Sequence, residues 1–409
     1  MQVVVVGAGI TGISIAENLR RANVTVTLVD EVFPGHESQA SYGNAGLLAR
    51  SSIVPFMKPS GLLKIPTMLL DKDSPLFLKL SYLPRLIPWL IPFLKNASPE
   101  RIPDLVAAID SLTNDSVQQH LSLARFTNAR KFLHCGNYGL LYLNEDEFKR
   151  DLFARELKTK YGYEPTKFVG REIIELDPSI SDRYAVATVY PDHGWVDSPG
   201  AYLGALFRHY KKNGGVFVND QVMAILNDGV KLRSGKKLFS EKIVLAAGIW
   251  SKELASGIGL KVPLESERGY HLFLSGANKR PPFPLLVTDG KFIITPMTGG
   301  LRCAGIVEFG GLKAIPSRAP LELLKRKVKQ VYRGLEYDDE LTWMGHRPST
   351  PDSLPVIGSH RSNKNVYFAF GSQHIGLTIG PKIGKVVSDL ILEKRNNFDY
   401  SPFSPERFL

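Results

Sequence analysis

Cysteine is nearly absent. The 409-residue chain has two, Cys135 and Cys303, far apart and in no metal-ligand spacing. That excludes a disulfide framework, offers no metal site and fits a reducing compartment. A secretory leader is not expected, because the apolar run Val3–Val6 is too short and passes straight into a glycine turn. In the most apolar region, Ile53–Asn96, prolines interrupt every run before it approaches the ~20 apolar residues of a membrane span. Prolines at this spacing also argue against a long regular helix there. Internal repeats, low-complexity segments, zinc-finger spacings and long basic runs are lacking, so nucleic acid is not an expected partner. The localisation these absences suggest is cytoplasmic.

What is present is the balance of a globular chain, 44% hydrophobic and 22% charged, with enough length for about two domains. Lys and Arg number 51 against 40 Asp and Glu, a formal net charge of +11. A basic surface that keeps the chain soluble accounts for this, and so does an anionic partner or an anionic membrane surface. Both readings stay open.

The N-terminus is the most informative stretch. Gln2–Val6 is a β-branched run suited to a buried parallel strand, and Gly7-Ala-Gly9-Ile10-Thr11-Gly12 follows it directly. Apolar residues Ile13, Ala16 and Leu19 then recur at helical spacing, and Val24–Val29 forms a second strand ending on Asp30 and Glu31. This is a βαβ unit carrying a dinucleotide fingerprint. Gly7 permits the tight turn, Gly9 the approach of a pyrophosphate, and Gly12 close helix–strand packing. The helix N-terminus faces the phosphates, and an acid closing the second strand accepts ribose hydroxyls.

The fingerprint alone does not separate FAD from NAD. Other segments look able to converge on one elongated cofactor: the small-residue stretch Ser41-Tyr-Gly-Asn44-Ala45-Gly46-Leu47, a strand through Gly215–Val222, a hairpin over Val230–Leu238, and a strand running into Ala247-Gly248-Ile-Trp250. Near the C-terminus an apolar strand, Val366–Phe370, meets a turn at Gly371 and a helix from Ile375 to Leu392.

In this order the pieces resemble the FAD-dependent D-amino-acid oxidase superfamily, and most of all its D-amino-acid dehydrogenase branch. The matching motifs are Gly7-x-Gly9-x-x-Gly12, Ser41-x-x-Asn44-Ala45-Gly46, Ala247-Gly248-x-Trp250-Ser251, Arg347-Pro-Ser-Thr-Pro-Asp352 through Gly358, and Gly371-x-x-His374-x-Gly376-Leu377-Thr378. They span residues 2–392. One departure stands out: where that branch usually carries Gly-His-Gly-His before the last helix, this chain has Gly371-Ser372-Gln373-His374.

The resemblance implies an α/β fold: a Rossmann-type FAD-binding domain from about 1–52, 196–262 and 345–395, and a substrate domain with a largely antiparallel sheet from 53–195 and 263–344. The second domain is expected to hold a helical stretch from Pro103 to about Ala129 and strands near Gly269–Leu274, Lys291–Thr295 and Leu301–Val307. FAD would be bound non-covalently by the fingerprint residues with Asp30 and Glu31, by Ser41, Asn44, Ala45, Gly46 and Leu47, by Val222, by Ala247, Gly248 and Trp250, and by Gly371, Gly376, Leu377 and Thr378.

The implied chemistry is oxidation of the Cα–N bond of a small amino acid or imino acid. A carboxylate clamp is needed, and Arg347 is the first candidate, although it could instead pin its own loop by pairing with Asp352. Arg302 is the alternative clamp. Tyr270 could add a hydroxyl, and His374 could orient substrate or flavin. Electrons would pass to a quinone or respiratory chain, or to oxygen in an oxidase of the same fold; an assembly role without turnover is the further alternative. Trp89, Phe93, Arg85 and Lys95 within Ile53–Asn96 suit either a cap over the site or a segment resting on the inner face of a membrane.

Overall fold

The protein, described from a computed structural model over residues 1–55 and 74–408, is built on two large sheets. In chain order its described strands are Gln2–Val6 (β1), Thr25–Asp30 (β2), Leu47–Leu48 (β3), Leu76–Leu78 (β4), Leu133–Tyr142 (β5), Thr166–Val169 (β6), Val186–Val196 (β7), Val216–Asn219 (β8), Val222–Leu226 (β9), Gly229–Leu232 (β10), Lys237–Phe239 (β11), Lys242–Leu245 (β12), Glu265–Ser275 (β13), Leu285–Val287 (β14), Phe292–Met297 (β15), Gly300–Phe309 (β16), Asp339–Ser349 (β17), Val356–Ser359 (β18) and Val366–Phe370 (β19). The helices that position the site are Ile10–Arg21 (α1), Leu83–Asn96 (α2), Ile102–Thr113 (α3), Ser116–Ala124 (α4) and, at the far end, Gly376–Ile391 (α5).

The first sheet is six-stranded, in the order β18-β19-β12-β1-β2-β8. Its central strand β1 is parallel to both neighbours and carries four buried valines, as a strand covered on both faces must. All six strands come from the stretches expected to bind a dinucleotide. The run Gly215–Val222 is not one strand, however: it breaks at Asp220–Gln221, β8 joining this sheet and β9 starting a three-stranded sheet with β10 and β11. The Asp220 carboxylate takes the Gln221 N–H at 2.7 Å, a local turn that ends the ladder.

The second sheet is ten-stranded and mostly antiparallel, with the path β17-β13-β16-β15-β14-β5-β7-β3 and with β4 and β6 attached. The three strands expected around residues 269, 291 and 301 are β13, β15 and β16. Strand β17 departs from the expected division, because the segment bearing Arg347 belongs to this sheet and not to the first. The helical stretch expected from Pro103 to Ala129 is broken into α3 and α4 at Asn114–Asp115, where the Asp115 carboxylate turns to Lys382 of α5 at 2.7 Å.

Helix α2 overturns the expectation that prolines forbid a helix between Leu83 and Asn96. Pro84 sits in its first turn, and Pro88 and Pro92 lie inside it. Spaced by four, each proline removes the N–H that would have bonded the carbonyl of the proline before it, so the broken bonds line up along one edge. Pro84 and Pro88 are exposed there, where water can satisfy the carbonyls, and Asn96 Nδ2 donates to the Pro92 carbonyl at 2.9 Å. The opposite edge buries Leu86, Trp89 and Phe93 against Val307 and Phe309 of β16. The Met57–Pro66 part of the proline-rich region lies outside the described residues.

Candidate active site

The glycine turn after β1 is shaped by what a side chain would strike. Gly7 has φ +99°, and a Cβ there would lie 2.5 Å from the Ala246 carbonyl oxygen. A Cβ on Gly12 would fall 1.8 Å from the Gly7 oxygen, so α1 leaves the turn with its backbone pressed on it. Gly9 differs: only Ser41 Oγ, at 3.4 Å, stands near its missing Cβ. Helix α1 begins there with no side-chain cap from its N-cap residue and no acid in its first turn, and Ser41 Oγ accepts the Ile10 N–H at 3.1 Å from a separate loop. Backbone open at the glycine and a helix dipole unopposed by acids make a fit for a pyrophosphate.

The other FAD candidates are placed as follows. Ala247 touches the space over Gly7, and Gly248, with φ +56°, has nothing within 4 Å of where its Cβ would be. Trp250 is exposed beside His346, and Val222 packs with Val4, Val6 and Val29 under the first sheet. Asn44 Oδ1 accepts the Gly46 N–H at 2.9 Å, and Asn44 Nδ2 donates to the His374 carbonyl at 3.3 Å, tying the loop to the start of α5. Thr378, in the first turn of α5, donates to the Leu47 carbonyl at 3.0 Å. Helix α5 crosses α1 closely, since a Cβ on Gly380 would meet Ile10 at 2.8 Å and one on Gly384 would meet Ser14 at 2.5 Å. Small residues at i and i+4 thereby bring two helix N-termini to one crevice.

Asp30 is placed at the end of β2 as expected, but it is partly spent. It accepts the Ala8 N–H at 2.7 Å, the Val32 N–H at 3.1 Å and Gln39 Nε2 at 3.3 Å. A carboxylate has about four acceptor positions, so Asp30 alone does not hold both ribose hydroxyls. Glu31 beside it is exposed. Burial raises the Asp30 pKa, opposed by the Ala8 and Val32 N–H groups.

Across the crevice stands one face of β13 and β17. Trp343, Gly345 and Arg347 on β17 share that face with Glu267, Gly269 and His271 on β13, following the strand period of two. The Arg347 guanidinium lies flat over Gly269, where a Cβ would be 2.5 Å from its Cζ. It does not pair with Asp352, which is held by Arg407 at 2.7 Å. Among the described residues Arg347 has no direct ion pair, and its facing carboxylate is Glu267, buried and directly opposite in register. Loss of water lowers the Arg347 pKa and Glu267 raises it.

The turn Gly371–His374 delivers His374 to the same place. Ser372 bridges to Ser349, and Gln373 Nε2 donates to the Thr350 carbonyl at 3.3 Å. Gln373 has φ +47°, so at the position where the resembling branch has its second glycine the chain keeps a left-handed backbone with a larger side chain. His374 is open to the crevice but surrounded by protein elsewhere; that desolvation, with Arg347 nearby, pushes its pKa down to about 4.

One candidate does not join the pocket. Tyr270 points to the opposite face of β13, where its hydroxyl donates to Glu308 at 2.5 Å and accepts the Ser317 N–H at 3.0 Å. An even-numbered residue on this strand cannot share a face with Glu267 and Gly269. Arg302, directly opposite Phe273 in register, lies on the same face as His271, which feels its charge; it is buried and donates through Nη1 to the carbonyls of Tyr42 at 3.0 Å and Asn44 at 2.7 Å, so it also shapes the 41–47 loop. Sequence reasoning missed Trp343 and His271, whose rings stack at 5.1 Å while Trp343 Nε1 donates to the Glu37 carbonyl and His271 Nδ1 contacts the Gly43 carbonyl. It also missed Glu267; acids at alternate positions of one strand, Glu265 and Glu267, were the available signal.

A dinucleotide cradle on a parallel sheet, facing a cationic pocket on an antiparallel one, defines a flavoprotein oxidoreductase. The chain belongs to the FAD dependent oxidoreductase family, whose profile matches residues 2–390. It is 33% identical over 416 residues to a D-amino-acid oxidase of Bradyrhizobium diazoefficiens, covering 100% of this chain and 99% of that one. A D-amino acid dehydrogenase of Dechloromonas aromatica is 27% identical, with 97% and 98% covered. The fold matches L-proline dehydrogenase from P. horikoshii with a TM-score of 0.75 at 19% identity, over 100% of this chain and 97% of that one. It matches glycine oxidase from Bacillus cereus with a TM-score of 0.71 at 22% identity, over 97% and 96%. Among the described residues no helix is long and apolar enough to cross a membrane.

Proposed function

We propose that this enzyme oxidises the Cα–N bond of a small amino acid, its D-enantiomer first, to the imino acid, and that the first sheet carries FAD while the second carries the substrate. The observation that carries this reading is Arg347, a guanidinium laid over Gly269 with no direct ion pair among the described residues, on the pocket side of the crevice. Its planar fork suits a substrate carboxylate. The names of the relatives, D-amino-acid oxidase and D-amino acid dehydrogenase, support the substrate class.

FAD, when bound, supplies the two-electron acceptor for the hydride from Cα. The chain does the rest. Arg347 fixes the carboxylate, and Trp343 and His271 wall the pocket. The N-terminal turn of α5, from Gly376 to Thr378, turns its N–H groups toward the crevice, where developing negative charge is favoured. His374, neutral at physiological pH, adds no charge that would oppose binding of an amine. FAD is held without a covalent bond in this reading, Cys303 being fully buried in the second sheet and Cys135 lying on β5.

The electron acceptor we propose is a quinone or respiratory chain reached at an anionic membrane surface. Support comes from α2, whose outward edge exposes Ile87 and Ile91 beside Arg85 and Lys95, with Leu80 exposed just before it and no acidic residue in the helix. Each basic residue near such a surface contributes about 1 kcal/mol, so a few suffice for reversible attachment. Oxygen as acceptor is the second reading, favoured by the name of the 33% identical relative. Reoxidation of the substrate-bleached protein by a soluble quinone and by oxygen, with sedimentation on anionic vesicles at low and high salt, separates them. Faster quinone turnover and salt-sensitive binding support the first; rapid oxygen turnover without vesicle binding selects the second.

A further inference from the structure

Glu267 and Arg347 are directly opposed on β13 and β17. Such partners project from one face with Cβ atoms about 5 Å apart. Glu267 is 2% exposed, yet it makes no direct ion pair among the described residues. Its charged and titratable surroundings are few. Arg347 faces it from β17 together with the Ser349 hydroxyl, and Glu265 lies two residues back on its own strand. Glu265 in turn accepts the Tyr82 hydroxyl at 3.0 Å and feels Lys252. His374 and His271 flank Arg347, and desolvation, alongside the Arg347 charge, lowers the pKa of both. Among the described residues Glu267 thus has one positive neighbour, and that neighbour is the proposed clamp.

We propose that Glu267 takes up one proton when a carboxylate binds Arg347, and that with an amino-acid substrate this proton balances the one its ammonium gives up. A carboxylate on the guanidinium cancels the one charge among the described residues that favours ionised Glu267 and brings a second negative charge into the same desolvated space. Two carboxylates sharing such a site do not both stay ionised. Burial already raises the Glu267 pKa, with Arg347 and Ser349 opposing, and loss of the Arg347 charge acts in the same direction as burial.

The balance is simple. The zwitterion, with its ammonium and carboxylate, plus ionised Glu267 gives the amino acid with a neutral amine plus protonated Glu267. No bond to carbon changes and no electrons move. The neutral amine has the lone pair that lets the Cα–H leave with its electrons. The ammonium half rests on the amino-acid reading above, whereas the coupling itself is readable with a plain carboxylate. Glu267 acts through Arg347 and is a positioning residue.

The test is propionate binding to the FAD-loaded protein between pH 6 and 9, followed by flavin absorbance and by calorimetry in two buffers of different ionisation enthalpy. The wild type takes up protons on binding, and its Kd weakens by up to about tenfold per pH unit. Glu267→Gln binds propionate without proton uptake and with a Kd flat over this range; Glu267→Asp keeps the uptake with a displaced midpoint. Equal proton uptake and pH dependence in wild type and Glu267→Gln overturn the proposal while leaving the clamp intact. Equal propionate affinity in wild type and Arg347→Lys, or no binding at all, overturns the clamp and the coupling together. Should Glu267→Gln lose FAD or fold, an unshifted midpoint in Glu267→Asp overturns the coupling.

Discussion

Arg407 grips Asp352 at 2.7 Å and donates as well to the carbonyls of Phe403, Ser404, Leu354 and Pro355. The loop after β17 is therefore fastened from the C-terminal tail, and Arg347 is not needed to hold it. The two arginines should fail differently. Arg347→Lys keeps the charge but loses the fork, so KM should rise by roughly 10- to 100-fold, the worth of a hydrogen bond to a charged group, with FAD content and Tm nearly unchanged. Arg407→Ala should instead lower stability by about 3 kcal/mol, because it strands the Asp352 carboxylate. Steady-state kinetics beside thermal melts of both variants check this; a Tm drop in Arg347→Lys larger than in Arg407→Ala would reverse the assignment.

The glycines of the fingerprint also separate. Gly12→Ala places a Cβ 1.8 Å from the Gly7 oxygen, so the fold itself should suffer. A Cβ on Gly9 meets only Ser41 Oγ at 3.4 Å, so Gly9→Ala should leave a folded protein that has lost FAD. Circular dichroism and the ratio of flavin to protein absorbance decide it. From the wild type, denaturation should release the flavin into the supernatant; colour remaining with the precipitated chain contradicts non-covalent binding.

Behind α5, His120 is fully buried, with Nδ1 against the Tyr202 hydroxyl at 2.9 Å and Nε2 against the Leu377 carbonyl at 2.8 Å. Burial pushes its pKa down to about 4 from 6.5. Between those values the unfolded chain binds the proton and the folded one does not. Stability should therefore rise with pH across that window and level off above it. His120→Gln, which can keep both contacts, should lower the slope by one proton, about 1.4 kcal/mol per pH unit. Denaturant unfolding from pH 4.5 to 7 measures it, and an unchanged slope means His120 is charged in the fold.

Local features were legible in the sequence, and long-range ones were not. The β1–turn–α1–β2 unit could be read because each glycine and valine acts within about 30 residues of the others. Helix α2 was misread, since a proline rule applied residue by residue ignores that Pro84, Pro88 and Pro92 stack their missing bonds on one edge. Tyr270 looked like a pocket residue until its partner appeared, Glu308, 38 positions away, and nothing local showed that Arg302 holds the Asn44 carbonyl, 258 positions away. The face a strand residue takes depends on register, which for β13 and β17 is set by pairing between segments far apart in the chain, as in Glu265 with Ser349. Glu267 was passed over for the same reason, because only that pairing puts it opposite Arg347.

The central claim is that the enzyme takes a hydride from the Cα of an amino acid bound through Arg347. The most direct measurement is anaerobic mixing of the yellow protein with a panel of D- and L-amino acids, watching the flavin's visible absorption. The account predicts that at least one small amino acid, a D-enantiomer first, bleaches the flavin with formation of the matching keto acid, and that Arg347→Lys requires far more of it. Absence of bleaching by every member of the panel, in protein whose flavin dithionite still bleaches, would contradict the account.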